Sequence, residues 1–98
     1  MAFDAAEDFH RTGWPTHAWW AMWGVIAVLF DLGRTEVAAM VLGGCEASGV
    51  SRTAYQHVPA DLEIDSSATA SYRHLGGLLA FDDLLAIAAG RRPPPPLP

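Results

Sequence analysis

One stretch limits the possible folds more than any other: residues 17–32, HAWWAMWGVIAVLFDL. From 18 to 30 it runs without a charged or purely polar side chain. As a helix those residues extend roughly 20 Å, short of the hydrocarbon slab of about 30 Å that a membrane span must cross. Asp31 and Gly33 close the run. It therefore predicts a buried core helix and no membrane segment. Its apolar residues fall on two faces, Trp19, Trp23, Ile26 and Phe30 on one and Met22, Val25, Leu29 and Leu32 on the other. A helix apolar nearly all round needs neighbours on more than one side, so this one is expected at the centre of the molecule.

The flanking sequence supplies the neighbours. Residues 2–11 read as a short helix with Ala2, Ala5, Ala6 and Phe9 inward, ended by Gly13. Trp14 is expected to fold back onto the hairpin, and Thr16 to cap the central helix. Gly33 suits the residue after its C-cap, Thr35 suits the next cap, and Glu36 suits the dipole at the start of the following helix. So short a connection forces an antiparallel hairpin.

The third helix, about 36–48, is rich in small residues. Ala38, Ala39, Gly43 and Gly44 predict a close approach to the tryptophan-bearing helix, large against small. Each glycine of the pair costs roughly 1 kcal/mol of helix propensity relative to alanine, which calls for a packing reason. Residues 49–65 read as a loop, 66–74 as a weak helix stopped by Gly76-Gly77, and 81–89 as a last amphipathic helix with Asp82 and Asp83 in its first turn. Residues 91–98, RRPPPPLP, form an extended Pro-rich tail. The expectation is one all-α domain over 1–90, an antiparallel helix-hairpin bundle of four or five short helices, tetratricopeptide-like.

Composition excludes more than it includes. The 98 residues carry a net charge of −5 and 51% apolar side chains. That balance lacks the basic field direct nucleic-acid contact draws on, and it leaves apolar surface for a partner or a second copy. The six basic residues are all arginine, so neither a P-loop lysine nor a Schiff-base amine exists. The single cysteine, Cys45, makes no internal disulfide. A reducing, cytoplasmic setting suits it, and the acidic start MAFDAAEDFH lacks the basic region of a secretory signal.

No residues group into a reactive centre. His10, His17, His57 and His74 show no metal-ligand spacing, Cys45 lies mid-helix among apolar residues, and Asp61, Glu63 and Asp65 read as a solvated loop. Arg92 and the prolines after it match a short ligand for a polyproline-binding groove, a pattern that a solvated chain end also explains. No catalytic, cofactor or metal residue is expected, and the chain reads as a non-enzyme. The candidates for contact are Phe3, Phe9, Trp14, Trp19, Trp20, Trp23 and Met40. They serve a protein partner or homo-oligomer through the first helix and the outer sides of the second and third. The alternative is a sensor in which Trp19, Trp23 and Met40 enclose a small apolar effector.

Residues 9–14 (FHRTGW), then Trp20, Leu29 and residues 32–43 (LGRTEVAAMVLG), resemble the extreme C-terminal helical segment of large actinobacterial ATPase regulators of the LuxR and AfsR type. Residues 77–88 (GLLAFDDLLAIA) resemble the closing helix of the same segment. The resemblance covers most of 5–48 and 76–90 and rests on packing residues. This chain has no Walker motif and no helix-turn-helix, so nucleotide and DNA binding carry over to no residue. What the resemblance implies is a terminal repeat: a helical hairpin that stacks on neighbouring repeats and caps them.

Overall fold

Gly33 is where the chain first doubles back at full length. In the computed structural model, which describes residues 2–51, 58 and 67–95 (the side chains of 2, 3, 67 and 68 excepted), α2 spans Pro15–Asp31 and α3 spans Thr35–Ala47. Between them Gly33 takes a φ of +77°, a left-handed conformation that favours glycine. The Gly33 N–H donates to the Phe30 carbonyl at 3.0 Å and the Arg34 N–H to Leu29 at 2.9 Å. These paired bonds satisfy carbonyls that the end of α2 leaves over, and they reverse the chain within three residues.

The same device recurs on either side. Gly13 joins α1 (Ala2–Arg11) to α2, with the Trp14 N–H donating to Phe9. Gly90 ends the last helix, with the Arg91 N–H donating to Ala86. Helix α4 covers Ser67–Gly77 and α5 covers Phe81–Ala88. All regular structure among the described residues is helical, as the periodicity requires. None of these helices is long and apolar enough to cross a membrane.

Several boundaries differ from expectation. Helix α2 begins at Pro15, whose fixed φ suits the first helical position, and Trp14 takes the cap position without a side-chain bond. Thr35 likewise lies inside α3, with Arg34 at the cap position. Helix α4 reaches Gly77, three residues past the expected end, so Gly76 and Gly77 belong to its last turn. The expected loop at 49–65 lies mostly outside the described residues.

The centre of the molecule is α3, a correction to the expectation that α2 would hold that place. Every residue from Val37 to Cys45 is buried, and α2, α4 and α5 all pack on this helix. The reason is steric. A methyl group on Gly43 would lie 1.8 Å from the Arg73 carbonyl oxygen, and one on Gly76 would lie 1.9 Å from the Met40 oxygen. Two helix backbones therefore touch where each offers a glycine. Gly44 turns the other way, toward Leu84 and Trp19. The anticipated large-on-small contact with a tryptophan exists there, but the closest approach is between α3 and α4. A helix of small residues admits neighbours on every side; one carrying bulky indoles can fill the rim.

Helix α2 accordingly keeps an outer face. Ala18, Met22, Val25, Ile26 and Leu29 are buried between α1 and α3, while Val28 and the expected core residue Leu32 stay 39% and 66% exposed. Ala5, also expected inward, is exposed, and Ala6 supplies the buried contact of α1.

The arginines fasten the assembly. Arg34 Nη1 donates to Ala88 at 2.7 Å and Nη2 to Ile87 at 2.9 Å. Arg73 holds Glu46 through two bonds of 2.6 and 2.5 Å, tying α4 to α3. Arg91 and Arg92 pair with Glu7 and Asp83 at 2.6 Å, which anchors the start of the Pro-rich segment on α1 and α5.

Candidate functional site

The residues singled out for contact separate into inner and outer groups. Met40 is fully buried in α3. Trp23, on the inner flank of α2, is buried, and its indole Nε1 donates to the Val50 carbonyl at 2.7 Å. Trp19 is half-buried and stands edge-on to Phe81, ring centres 5.0 Å apart at 87°. Phe9 is half-buried and lies 5.3 Å from the His17 ring. Trp14, expected to fold back, is 55% exposed and meets His17 edge-on at 5.0 Å. Trp20 is 41% exposed. The Phe3 side chain lies outside the described residues.

The described residues line surface clefts on two sides of the fold. One, of about 390 Å³, is an open groove lined by Thr16, His17, Trp20, Val50 and Ser51. The other, of about 400 Å³, runs along the α3–α4 seam past Glu46, Arg73, His74 and Leu78. Trp19, Trp23 and Met40, proposed as walls of an effector pocket, line neither cleft. They pack against helices.

Several ionisable groups are engaged in structure. Cys45 is buried, and loss of solvation, with a smaller contribution from the Glu46 carboxylate, pushes its thiol well above the ordinary range. His10 meets the Asp82 carboxylate and lies over Phe81 with ring centres 4.5 Å apart. Among the described residues no three His, Cys, Asp or Glu side chains converge to hold a metal. His57, Asp61, Glu63 and Asp65 lie outside them.

The outer face of α2 leaves Trp20 and Val28 exposed. His17, Trp20, Gly24, Val28 and Asp31 follow one another along it at spacings of three and four residues, the separations that bring residues to one side of a helix. Nothing among the described residues lies within 4 Å of a methyl group placed on Gly24. Reading the sequence alone singled out only Trp20 on this face and not His17, Gly24, Val28 or Asp31, because a long apolar run conceals which of its sides is left uncovered. Comparison with known proteins gives no match to a protein family, a characterised protein or a solved structure.

Proposed function

We propose that this chain is a non-enzymatic helical interaction module, one that self-associates or docks on another protein in the manner of a terminal helical repeat. The observation that carries this reading is the apolar surface along α2, where Trp20 and Val28, and Leu32 just past its end, stay exposed while Ala18, Met22, Val25, Ile26 and Leu29 are interior. Contiguous apolar surface is what a soluble monomer minimises and what an interface uses. The buried, protonated Cys45 and the pairing of Glu46, Asp82 and Asp83 with basic side chains support a scaffold over a reactive site.

The resemblance to the tail of LuxR- and AfsR-type regulators supports the same reading, since such a repeat works by stacking on its neighbours. An acidic chain with one buried thiol suits the cytoplasm and a protein partner, and it does not suit nucleic acid. The test combines light scattering across a wide concentration range with binding of an apolar dye such as anilinonaphthalene sulfonate. Self-association, or a monomer that binds dye in its folded state, is expected. A monomer at every concentration that binds no dye overturns the reading.

A further inference from the structure

We infer that the partner is a second copy of this chain, bound through the outer face of α2 with the two helices antiparallel and crossing at Gly24. The inference rests on the interaction-module reading above and names its partner. It starts from a symmetry in the side-chain order. Counting from Gly24, Trp20 and Val28 lie four residues away in opposite directions, and His17 and Asp31 lie seven away. With 3.6 residues per turn, all five fall within an arc of about 80° centred on Gly24.

A two-fold axis through Gly24 therefore sets Trp20 against the partner copy's residue 28 and His17 against its residue 31, twice over. That is the self-complementarity an isologous interface requires. Large apolar groups flank a central gap, and that gap is a glycine with no described atom near its missing side chain.

Charge points to the same register. Helix α2 has no acidic residue in its first turn and no basic residue in its last. Asp31 thus sits at the negative end of its own helix dipole with nothing in that turn to offset it. An antiparallel partner brings a helix N-terminus and an exposed His17 to that end.

The geometry permits the contact only at a shallow crossing. Seven residues carry the chain about 10 Å from Gly24. At the +20° packing class the axes have diverged sideways by only about 4 Å at that point, against about 9 Å at −50°. A glycine at the crossing lets the axes approach closely enough for the flanking side chains to interlock.

Sedimentation velocity on the full chain, from micromolar to millimolar, tests this with three variants. Gly24→Leu places a side chain in the gap and improves helix propensity, so it is expected to weaken dimerisation at least about tenfold without lowering the thermal unfolding midpoint. His17→Asp and Asp31→His each weaken the dimer, and the two together restore it. A wild-type monomer throughout overturns the inference, and the dye experiment then decides separately whether the interaction reading also falls. A dimer that Gly24→Leu leaves intact overturns this interface alone. A dimer weakened by Gly24→Leu but not restored by the double exchange overturns the antiparallel register.

Discussion

Arg34 Nη1 donates to the carbonyl oxygen of Ala88 at 2.7 Å, so the residue that opens α3 also closes α5, 54 positions away. The turn at Gly90 leaves a vacancy for that bond. Leu85, Ala86 and Ile87 receive the N–H groups of Ala89, Arg91 and Gly90, and Arg34 supplies Ala88 while sharing Ile87. A cation at a helix C-terminus is also favoured by the dipole.

Replacing Arg34 with alanine is expected to lower stability by about 2 kcal/mol, the scale of half-buried hydrogen bonds from a charged donor. Arg34→Lys keeps the charge but not the two-pronged geometry, and should recover less than half of the loss. Urea unfolding measures both. Amide hydrogen exchange should show the fastest opening in Arg34→Ala along α5.

The glycines of the α3–α4 seam make a graded set. Gly43→Ala and Gly76→Ala each drive a methyl group to within 1.8 and 1.9 Å of a backbone oxygen, which forces the helices apart. The expected cost is about 2–3 kcal/mol, more than the roughly 1 kcal/mol of helix propensity gained. Gly44→Ala meets the flexible end of Leu84 at 2.2 Å, a side chain able to turn aside, and should cost less. Gly24→Ala meets nothing described and should raise stability by up to about 1 kcal/mol. Chemical denaturation of the four variants checks the order.

That gradation marks where sequence reasoning reaches and where it stops. The chain reversals at Gly13 and Gly33 were legible because a helix end and its left-handed glycine are neighbours in sequence. The packing reason for Gly43-Gly44 was legible as a need, since two glycines inside a helix require compensation. Its object was not. Gly43 lies against the Arg73 carbonyl and Gly76 against that of Met40, and no local pattern announces a contact between two backbones so far apart in sequence.

The displacement of α2 from the centre has the same origin. Apolar content predicts burial, whereas the helix that accepts the most neighbours is the one with the smallest side chains. Leu32 thus reads as core in sequence and lies on the rim in space. Arg34 was invisible as a cap because its partners belong to another helix.

The four indoles should divide under quenching. Trp23 is buried and hydrogen-bonded to Val50, and Trp19 is half-covered against Phe81, whereas Trp14 and Trp20 are 55% and 41% exposed. Acrylamide is expected to quench a fast and a slow population. Trp14→Phe and Trp20→Phe should each remove part of the fast one, and Trp23→Phe part of the slow one. Trp23→Phe should also cost about 1 kcal/mol, since the Val50 carbonyl then loses its donor. If interlocked α2 faces form at higher concentration, Trp20 alone should move from the fast population to the slow one as protein concentration rises.

Cys45 ties the interior to alkaline pH. Burial, and secondarily Glu46, raises its thiol above the ordinary range in the folded chain, whereas the unfolded thiol loses its proton near pH 8.5. Above that pH the unfolded state binds fewer protons than the folded state, so stability falls as pH rises; below it Cys45 contributes no slope. Cys45→Ala removes this dependence while giving up buried contacts at neutral pH. The stability gap between wild type and variant should therefore narrow by about 1.5 kcal/mol from pH 8.5 to pH 10, as seen in urea titrations at each pH. A thiol reagent should correspondingly modify Cys45 only as fast as the core opens. Immediate modification of the folded chain at neutral pH, or a gap that stays constant with pH, would show that the α3 core does not enclose this side chain.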